Sequence, residues 1–192
     1  MNNTNSILIV NDVQIIHPGG SYDSDYAPLA KIEEQIDFAR AKGDFIFLVM
    51  IDKPECDKIH PRILKRVAGY ARCRIVAKPD EYNGAKWIVK MGKSLGLPMA
   101  HFRIVGFQTH RCVQSTTRGL KVLLPKCCIE VIKDACDDQD GNRWRIFPEL
   151  PGVSLVTSKD VVALNPAPKK STPATAPVNA HSNRTQLAEN NA

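Results

Sequence analysis

One stretch decides the predicted fold: Ile104-Val105-Gly106-Phe107-Gln108-Thr109-His110-Arg111-Cys112-Val113, continued by residues 114–124. An apolar segment, residues 101–105, leads into a glycine and a polar turn. Residues that can face a core then recur at the three- and four-residue spacing of a helix face, at Val113, Thr116, Leu120 and Leu123. The pattern predicts a strand, a tight turn and a helix.

Cys112 lies in the predicted first turn of that helix. Thr109 is expected to cap the helix with its hydroxyl group. Unpaired backbone N–H groups and the positive end of the helix dipole would then favour a thiolate at Cys112. The alternative is a buried structural cysteine, since free cysteine is among the most buried residue types. The position suits a nucleophile if charged groups lie nearby.

Composition limits the class of protein. The chain has 192 residues, of which 43% are hydrophobic and 24% charged, as in a soluble domain with its own core. The first apolar run, residues 7–10, is too short for a signal peptide or a membrane span, so we expect a cytoplasmic protein with no membrane partner. The six cysteines include no C-x-x-C pair and are expected to be reduced. The formal charge of +6 is scattered along the sequence and only 6% of residues are aromatic, so we expect no nucleic-acid partner.

Further apolar runs predict a sheet. The continuous runs lie at residues 7–10, 45–51, 73–77, 128–132 and 153–157, and such runs are typical of parallel strands buried on both faces. Helical patterns follow the first three, at residues 28–42, 63–70 and 84–95. The alternation predicts a three-layer α/β/α sandwich with a mostly parallel, Rossmann-like sheet of about six strands, spanning residues 1–165. Residues 166–192 are rich in Pro, Ala, Ser, Thr and Asn and are predicted to be a disordered tail.

Asp12 and Lys78 follow the first and third predicted strands. Because ligands of parallel sheets bind beyond the carboxyl ends of the strands, we expect both residues to share one site with Cys112. A carboxylate base, a cation and a thiol make a plausible nucleophilic site. Taken singly, Asp12 could instead be a cap and Lys78 a solvated surface lysine.

Five segments resemble the isochorismatase-like cysteine hydrolases, which include nicotinamidases and N-carbamoyl amidohydrolases. The segments are residues 7–14, which end in Asp12-Val13-Gln14; Lys78-Pro79; the motif Gly106-x-x-Thr109-x-x-Cys112-Val113-x-x-Thr116; Asp134-Ala135-Cys136; and residues 152–158. The resemblance implies that Asp12, Lys78 and Cys112 form a catalytic triad. Such a triad would cleave a C–N bond of a small-molecule amide or carbamoyl substrate through a thioester.

The resemblance also implies details of the turn before the nucleophile. It places a cis peptide bond between Phe107 and Gln108 and an oxyanion hole at the backbone N–H groups of Gln108 and Cys112. Phe107 and Gln14 join these residues as candidate substrate contacts. Because family members are commonly oligomeric, we also expect a homo-oligomer.

The chain departs from the family pattern in two loops and at the metal position. Residues 15–20 replace the usual Asn-Asp-Phe, and residues 79–84 lack the usual Ser-Ala-Phe. Pro54 stands where the metal-binding histidine of nicotinamidases would follow Asp52, and proline cannot bind zinc. His60 is then a lone candidate ligand and is expected to be solvated. We therefore predict no metal and no other cofactor.

Two alternatives stay open at this point. The altered loops suit a member of the fold that has lost catalysis and acts as a binding or scaffold protein. The spacing Cys112-x-x-x-x-x-Arg118 also matches cysteine-dependent phosphatases. Such a phosphate-binding loop usually needs glycine, which residues 113–117 lack, so a helix is expected there instead.

Overall fold

Six parallel strands form one sheet in the computed structural model, which describes residues 6–17, 20–21, 27–54, 56, 58–79, 83–136 and 143–164. The strands are β1 (Ile7–Asn11), β2 (Phe45–Ile51), β3 (Cys73–Lys78), β4 (His101–Gly106), β5 (Cys128–Cys136) and β6 (Val153–Val156). Their order across the sheet is β3-β2-β1-β4-β5-β6, and every neighbouring pair is parallel. The predicted sheet is confirmed and is wholly parallel.

Helices cover both faces of this sheet. They are α1 (Ala27–Lys42), α2 (Pro61–Val67), α3 (Ala85–Ser94), α4 (Gln114–Leu123) and α5 (Ser158–Leu164). The core is split by the sheet into two buried clusters: Ile7 and Ile9 of β1 pack with α3 and α4, whereas Leu8 and Val10 pack with α1. The alternation follows from the period of two along a strand. The predicted three-layer α/β/α sandwich is thus confirmed.

The strand order reverses between β1 and β4, so a crevice is expected at their carboxyl ends. The two strands approach closely there, at Gly106. Its φ is 137°, and a Cβ atom at this position would lie 2.1 Å from the backbone oxygen of Asn11. The next residue, Phe107, donates its backbone N–H to that same oxygen at 2.9 Å. Only glycine fits, which explains why the apolar run ends on one.

The structure differs from the predicted element boundaries in several places. β5 continues to Cys136, so Asp134 lies within a strand and not after it. Its carboxylate accepts hydrogen bonds from the backbone N–H and hydroxyl of Ser158, at the start of the unpredicted helix α5. A two-residue antiparallel ladder, Ile16–His17 with Gly20–Ser21, occupies a predicted loop. The predicted tail, residues 166–192, lies outside the described residues.

None of the helices in the described ranges is long and apolar enough to cross a membrane. The six cysteines all lie within these ranges, and no disulfide forms among them.

Candidate active site

Asp12, Lys78 and Cys112 lie together at the carboxyl edge of the sheet. Asp12 directly follows β1, Lys78 is the last residue of β3, and Cys112 lies in the turn that follows β4. The Lys78 Nζ atom lies 2.7 Å from Asp12 Oδ2, and both side chains are fully buried. Cys112 is 1% exposed, and its thiol hydrogen bonds with both side chains. The three residues predicted to form the site therefore form one buried cluster.

The backbone of Asp12 is left-handed, with φ of 53°. Its N–H still extends the sheet by donating to the Val49 backbone oxygen at 2.9 Å, and its own backbone oxygen accepts from the N–H of Gln14 at 3.0 Å. Left-handed backbone is uncommon away from glycine, and such residues cluster at functional sites. The turn ends β1 and places the carboxylate against Lys78.

The turn before Cys112 also depends on a left-handed residue, Gln108, with φ of 58° and ψ of 57°. The expected cis peptide bond between Phe107 and Gln108 is wrong, because the described residues contain no cis peptide bond. The physical reason is that one left-handed residue makes the sharp turn at a lower cost than a cis bond before a non-proline residue. Phe107 itself is fully buried under α1, in the apolar cluster on that face of the sheet.

Cys112 lies in a π-helical turn, Thr109–Val113, that leads directly into α4. The Val113 N–H donates to the Gln108 backbone oxygen at 3.3 Å, which is the five-residue spacing of a π-helix. Gln108 therefore occupies the cap position and makes no side-chain capping bond there, so the expected cap by Thr109 is wrong. Single π-turns are frequent at functional sites.

Burial raises the pKa of the Cys112 thiol far above its ordinary value. The negative charge of Asp12 raises this pKa further, whereas the positive charge of Lys78 lowers it. Burial thus opposes the thiolate that the helix position was expected to favour, and the thiolate stays a prediction. The Asp12 carboxylate next to the thiol is placed to serve as its base.

Asn11 and Thr116 support the Asp12 carboxylate and were not expected from the sequence. The Asn11 Nδ2 atom donates to Asp12 Oδ2 at 3.0 Å, so this oxygen receives hydrogen bonds from both Asn11 and Lys78. Thr116 Oγ1 lies 3.5 Å from Asn11 Oδ1 and accepts the Gly84 N–H at 3.1 Å. Asn11 and Thr116 are both fully buried. Two features of the sequence could have indicated them: Asn11 is a polar residue at the end of an otherwise apolar strand, and Thr116 is a polar residue on an apolar helix face.

Gln14 is also buried, and its side chain acts as an extension of the sheet. Its Oε1 atom accepts the backbone N–H of Ile51 at 2.9 Å, and its Nε2 atom donates to the Ile51 backbone oxygen at 3.3 Å. Gln14 thus fixes the end of β2 beside the loop of Asp12. Its suggested contact with substrate stays a prediction.

His60 is buried and not solvated as expected. Its Nδ1 atom accepts the backbone N–H of Arg62 at 3.2 Å and so caps the start of α2. Burial lowers the pKa of His60, and the positive charge of Arg62 lowers it further. Within the ranges that the structure describes, no three metal-ligating side chains gather in one place. The absence of a metal stays a prediction.

The phosphatase spacing does not correspond to a phosphate-binding loop. Val113 closes the π-helical turn, and residues 114–117 belong to α4. Arg118 is exposed and lines a surface groove between α3 and α4, whereas Cys112 is buried. The backbone between the two residues is helical, so it forms no cradle of inward N–H groups.

Comparison with solved structures identifies several proteins of the same architecture. The N-carbamoylsarcosine amidase from Thermoplasma acidophilum has 18% identity and a TM-score of 0.62, over 80% of this chain and 96% of that one. The MAR1 ribonuclease from Caenorhabditis elegans has 20% identity and a TM-score of 0.65, over 92% of this chain and 98% of that one. An isochorismatase-family protein from Chromobacterium violaceum has 14% identity and a TM-score of 0.64, over 85% of this chain and 94% of that one.

Sequence comparison alone gives no such link, since neither a family model nor a curated protein matches the chain. The structural matches are all at low identity, so they bear on the architecture and not on the reaction. They agree with the resemblance that the five sequence segments indicated. The chain has the fold of the isochorismatase-like hydrolases.

Proposed function

We propose that this protein is a cysteine hydrolase that cleaves a C–N bond of a small amide or carbamoyl compound. The observation that carries the proposal is the buried Lys78–Asp12 ion pair, 2.7 Å long, with the Cys112 thiol hydrogen-bonded to it. A base, a cation and a nucleophile at a strand-order reversal are the elements of covalent acyl transfer. The amidase of the same fold from T. acidophilum is consistent with this substrate class.

In the first step, Asp12 takes the proton of the Cys112 thiol, and the sulfur attacks the substrate carbonyl carbon. The π electrons of the carbonyl move to its oxygen and form a tetrahedral oxyanion. Lys78 stays paired with Asp12 and holds the charge balance of the buried site. Because burial raises the pKa of the thiol, the attack depends on a base beside the sulfur, and Asp12 is that base.

The oxyanion would be held by the backbone N–H groups of Gln108 and Cys112. Each such donor contributes about 3 kcal/mol in other enzymes with an oxyanion hole. When the carbonyl reforms, the C–N bond breaks, and the proton held by Asp12 goes to the departing nitrogen as ammonia or an amine. Water then attacks the thioester, Asp12 takes a proton from that water, and the sulfur leaves as the restored thiol.

The experiment is a screen of amides, ureides and carbamoyl compounds for ammonia or amine release by the full chain. Hits are quenched in acid and the intact protein is weighed by mass spectrometry. We expect an acyl adduct that peptide mapping assigns to Cys112. An adduct on another cysteine would show that the nucleophile is misassigned, and the absence of turnover across the panel would favour the non-catalytic alternative.

RNA cleavage is a second candidate function. The observation that favours it is the match with the MAR1 ribonuclease, which extends over 92% of this chain and 98% of that one. Asp12 could then act as the base for a ribose hydroxyl. The two candidates are separated by adding a labelled RNA to the same screen: RNA cleavage that survives Cys112→Ala, with no amide turnover, would favour the second.

A cytoplasmic location and a homo-oligomer stay predictions. Fractionation of the native host and analytical ultracentrifugation of the purified chain would test them.

A further inference from the structure

The helix layer formed by α3 and α4 carries lysine and arginine residues and no acidic residue. The sequence between Asn83 and Ile129 contains no Asp or Glu. Its lysines and arginines are mostly exposed on this layer. We call the following five exposed residues the basic face: Lys86, Lys90, Lys93, Arg118 and Lys126.

The opposite helix layer, α1 with α2, pairs three of its six cations with carboxylates. Lys31 pairs with Glu34, Arg62 with Glu33, and Arg66 with Asp37, each at 2.8 Å. α3 and α4 contain no acidic residue that could pair in the same way. These positive charges are scattered along the sequence, but they lie on one layer of the folded chain. The expectation against nucleic acid assumed scattered charge, and that assumption does not hold on this layer.

The basic face offers a groove and an aromatic ring, Trp87, to a negatively charged polymer. A groove of about 500 Å³ runs between α3 and α4 and is lined by Lys86, Arg118 and the 80% exposed Val122, among others. On the side of α3 toward β3, Trp87 and Lys90 line a smaller hollow of about 210 Å³ together with Val76 and Ala77. The Nζ atoms of Lys86 and Lys90 lie 5.4 and 5.9 Å from the centre of the Trp87 ring.

We propose that the basic face binds single-stranded nucleic acid. Phosphates would lie along Lys86, Lys90 and Arg118, and an unpaired base would stack on Trp87. A cationic groove beside an aromatic ring is the pattern by which proteins bind single strands without reading sequence. Complementary charge supplies the binding free energy through counterion release.

A second copy of the chain is a poorer occupant of this face. A two-fold dimer brings the same patch of both subunits together. Two basic faces without an acidic residue on α3 or α4 would then repel each other. A double helix fits less well than a single strand, because its bases are stacked on one another and cannot reach Trp87.

The test is fluorescence anisotropy of the full chain with labelled RNA and DNA single strands of about 20 nucleotides. The variant is K86E/K90E/R118E, and its matched control is K42E/K65E/K159E on the other side of the sheet. Both variants change the formal net charge from +6 to zero. Because the first variant removes three cations that would each neutralise a phosphate, we expect it to bind about 100-fold more weakly at 0.1 M salt, with a salt slope smaller by about 2. The control should bind within about threefold of the wild type.

A second measurement uses the intrinsic fluorescence of Trp87 in a W144F variant, where it is the remaining tryptophan. We expect quenching when the single strand is added, since a stacked base contacts the ring. An equal loss of affinity for the single strand in both charge variants would mean that net charge alone attracts the strand, and the proposal would fail. It would also fail if a polyglutamate peptide or phosphatidylserine vesicles bound more tightly than either strand, since the face would then serve an acidic protein or a membrane.

Discussion

Two buried ion pairs lie at opposite edges of the same sheet, and only one of them is a candidate for catalysis. Lys78 and Asp12, at the carboxyl edge, are fully buried. Arg103 and Asp44, toward the amino edge, are 1% and 2% exposed. The two pairs therefore share charge and burial, so neither property distinguishes a site from a structural contact.

The neighbours of each pair make the difference. Asp44 accepts the backbone N–H of Ser6 at 3.0 Å, and the Arg103 guanidinium lies 5.0 Å from the centre of the Phe38 ring. The first pair has instead the thiol of Cys112 as its neighbour. It also lies where the backbone is left-handed, at Asp12 and Gln108, the two non-glycine residues with positive φ among those described. A buried ion pair indicates function when a nucleophile and strained backbone accompany it.

The largest expected effect is on hydrolysis, and it distinguishes the thiol of Cys112 from that of Cys127. Cys112→Ala should lower the proposed hydrolysis by a factor on the order of 10⁴ or more, as loss of a nucleophile does in other hydrolases. Cys127→Ala is the matched control, because Cys127 is also buried and its pKa is also raised by burial. Turnover by the control should match the wild type per folded molecule. Similar turnover by both variants would remove Cys112 from the mechanism.

The second prediction replaces the cation of each ion pair and leaves its carboxylate in place. Lys78→Met and Arg103→Met should each lower the free energy of unfolding by about 3–5 kcal/mol, because an unpaired carboxylate stays buried. Chemical denaturation measures this loss. Hydrolysis per folded molecule should persist in Arg103→Met and disappear in Lys78→Met.

Removing both partners sharpens the contrast. Two nitrogens of Arg103, Nε and Nη1, are buried without a hydrogen-bond partner. The double variant D44L/R103M should therefore regain most of the lost stability. D12N/K78M should also recover stability, and yet it should stay inactive. Activity in D12N/K78M would contradict a role of the first pair in catalysis.

The third prediction concerns the support of Asp12. Thr116→Val removes the hydroxyl that links Asn11 to Gly84, and we expect a loss of about 1–3 kcal/mol in stability. We also expect hydrolysis to fall about tenfold, as Asn11 loses its orientation. Thr117→Val is the control, since the Thr117 hydroxyl is also buried but donates to the backbone oxygen of Val113, one turn earlier, and not to Asn11. Restored activity in Thr116→Ser, with a shifted pH profile in Thr116→Val, would distinguish positioning from stability alone.

The smallest expected effect is on the reactivity of the thiol. Asp12 raises the pKa of Cys112 and Lys78 lowers it. Asp12→Asn should therefore speed the alkylation of Cys112 at pH 8 about tenfold, which corresponds to one pKa unit, and Lys78→Met should slow it. Mass spectrometry follows labelling by iodoacetamide at each cysteine, with exposed Cys128 as the reference. Unchanged rates in both variants would show that the charges of Asp12 and Lys78 do not reach the thiol, and a slower rate in Asp12→Asn would show that Asp12 acts on it as a base more than through its charge.

Much of the fold could be predicted because each signal is local. Apolar runs mark the strands, although the edge strands β3 and β6 are partly exposed, and the helical spacing after Pro28 marks α1. The site residues could be predicted for a related reason: Asp12 and Lys78 follow strands whose carboxyl ends must share one edge of a parallel sheet. Gly106 could be identified as the end of β4, although the close approach that requires glycine could not.

The remaining features depend on contacts between distant parts of the chain. Thr116 and Asn11 are 105 residues apart, so no spacing rule links them. The π-helical turn and the left-handed Gln108 result from how β4 meets β1, and a local capping rule predicted Thr109 in their place. His60 was expected in solvent because a lone histidine cannot make a stable metal site, whereas it caps α2 in a buried position.

The sequence by itself determined the layers, the parallel strands and the identity of the three residues at the strand ends, because periodicity and chain order fix these. Only the tertiary structure shows that burial raises the pKa of the Cys112 thiol, since desolvation depends on everything that packs around it. It also decided that positive charges from two separate helices lie on one layer. Charge and burial act through space, and distance in space is what a linear sequence does not contain.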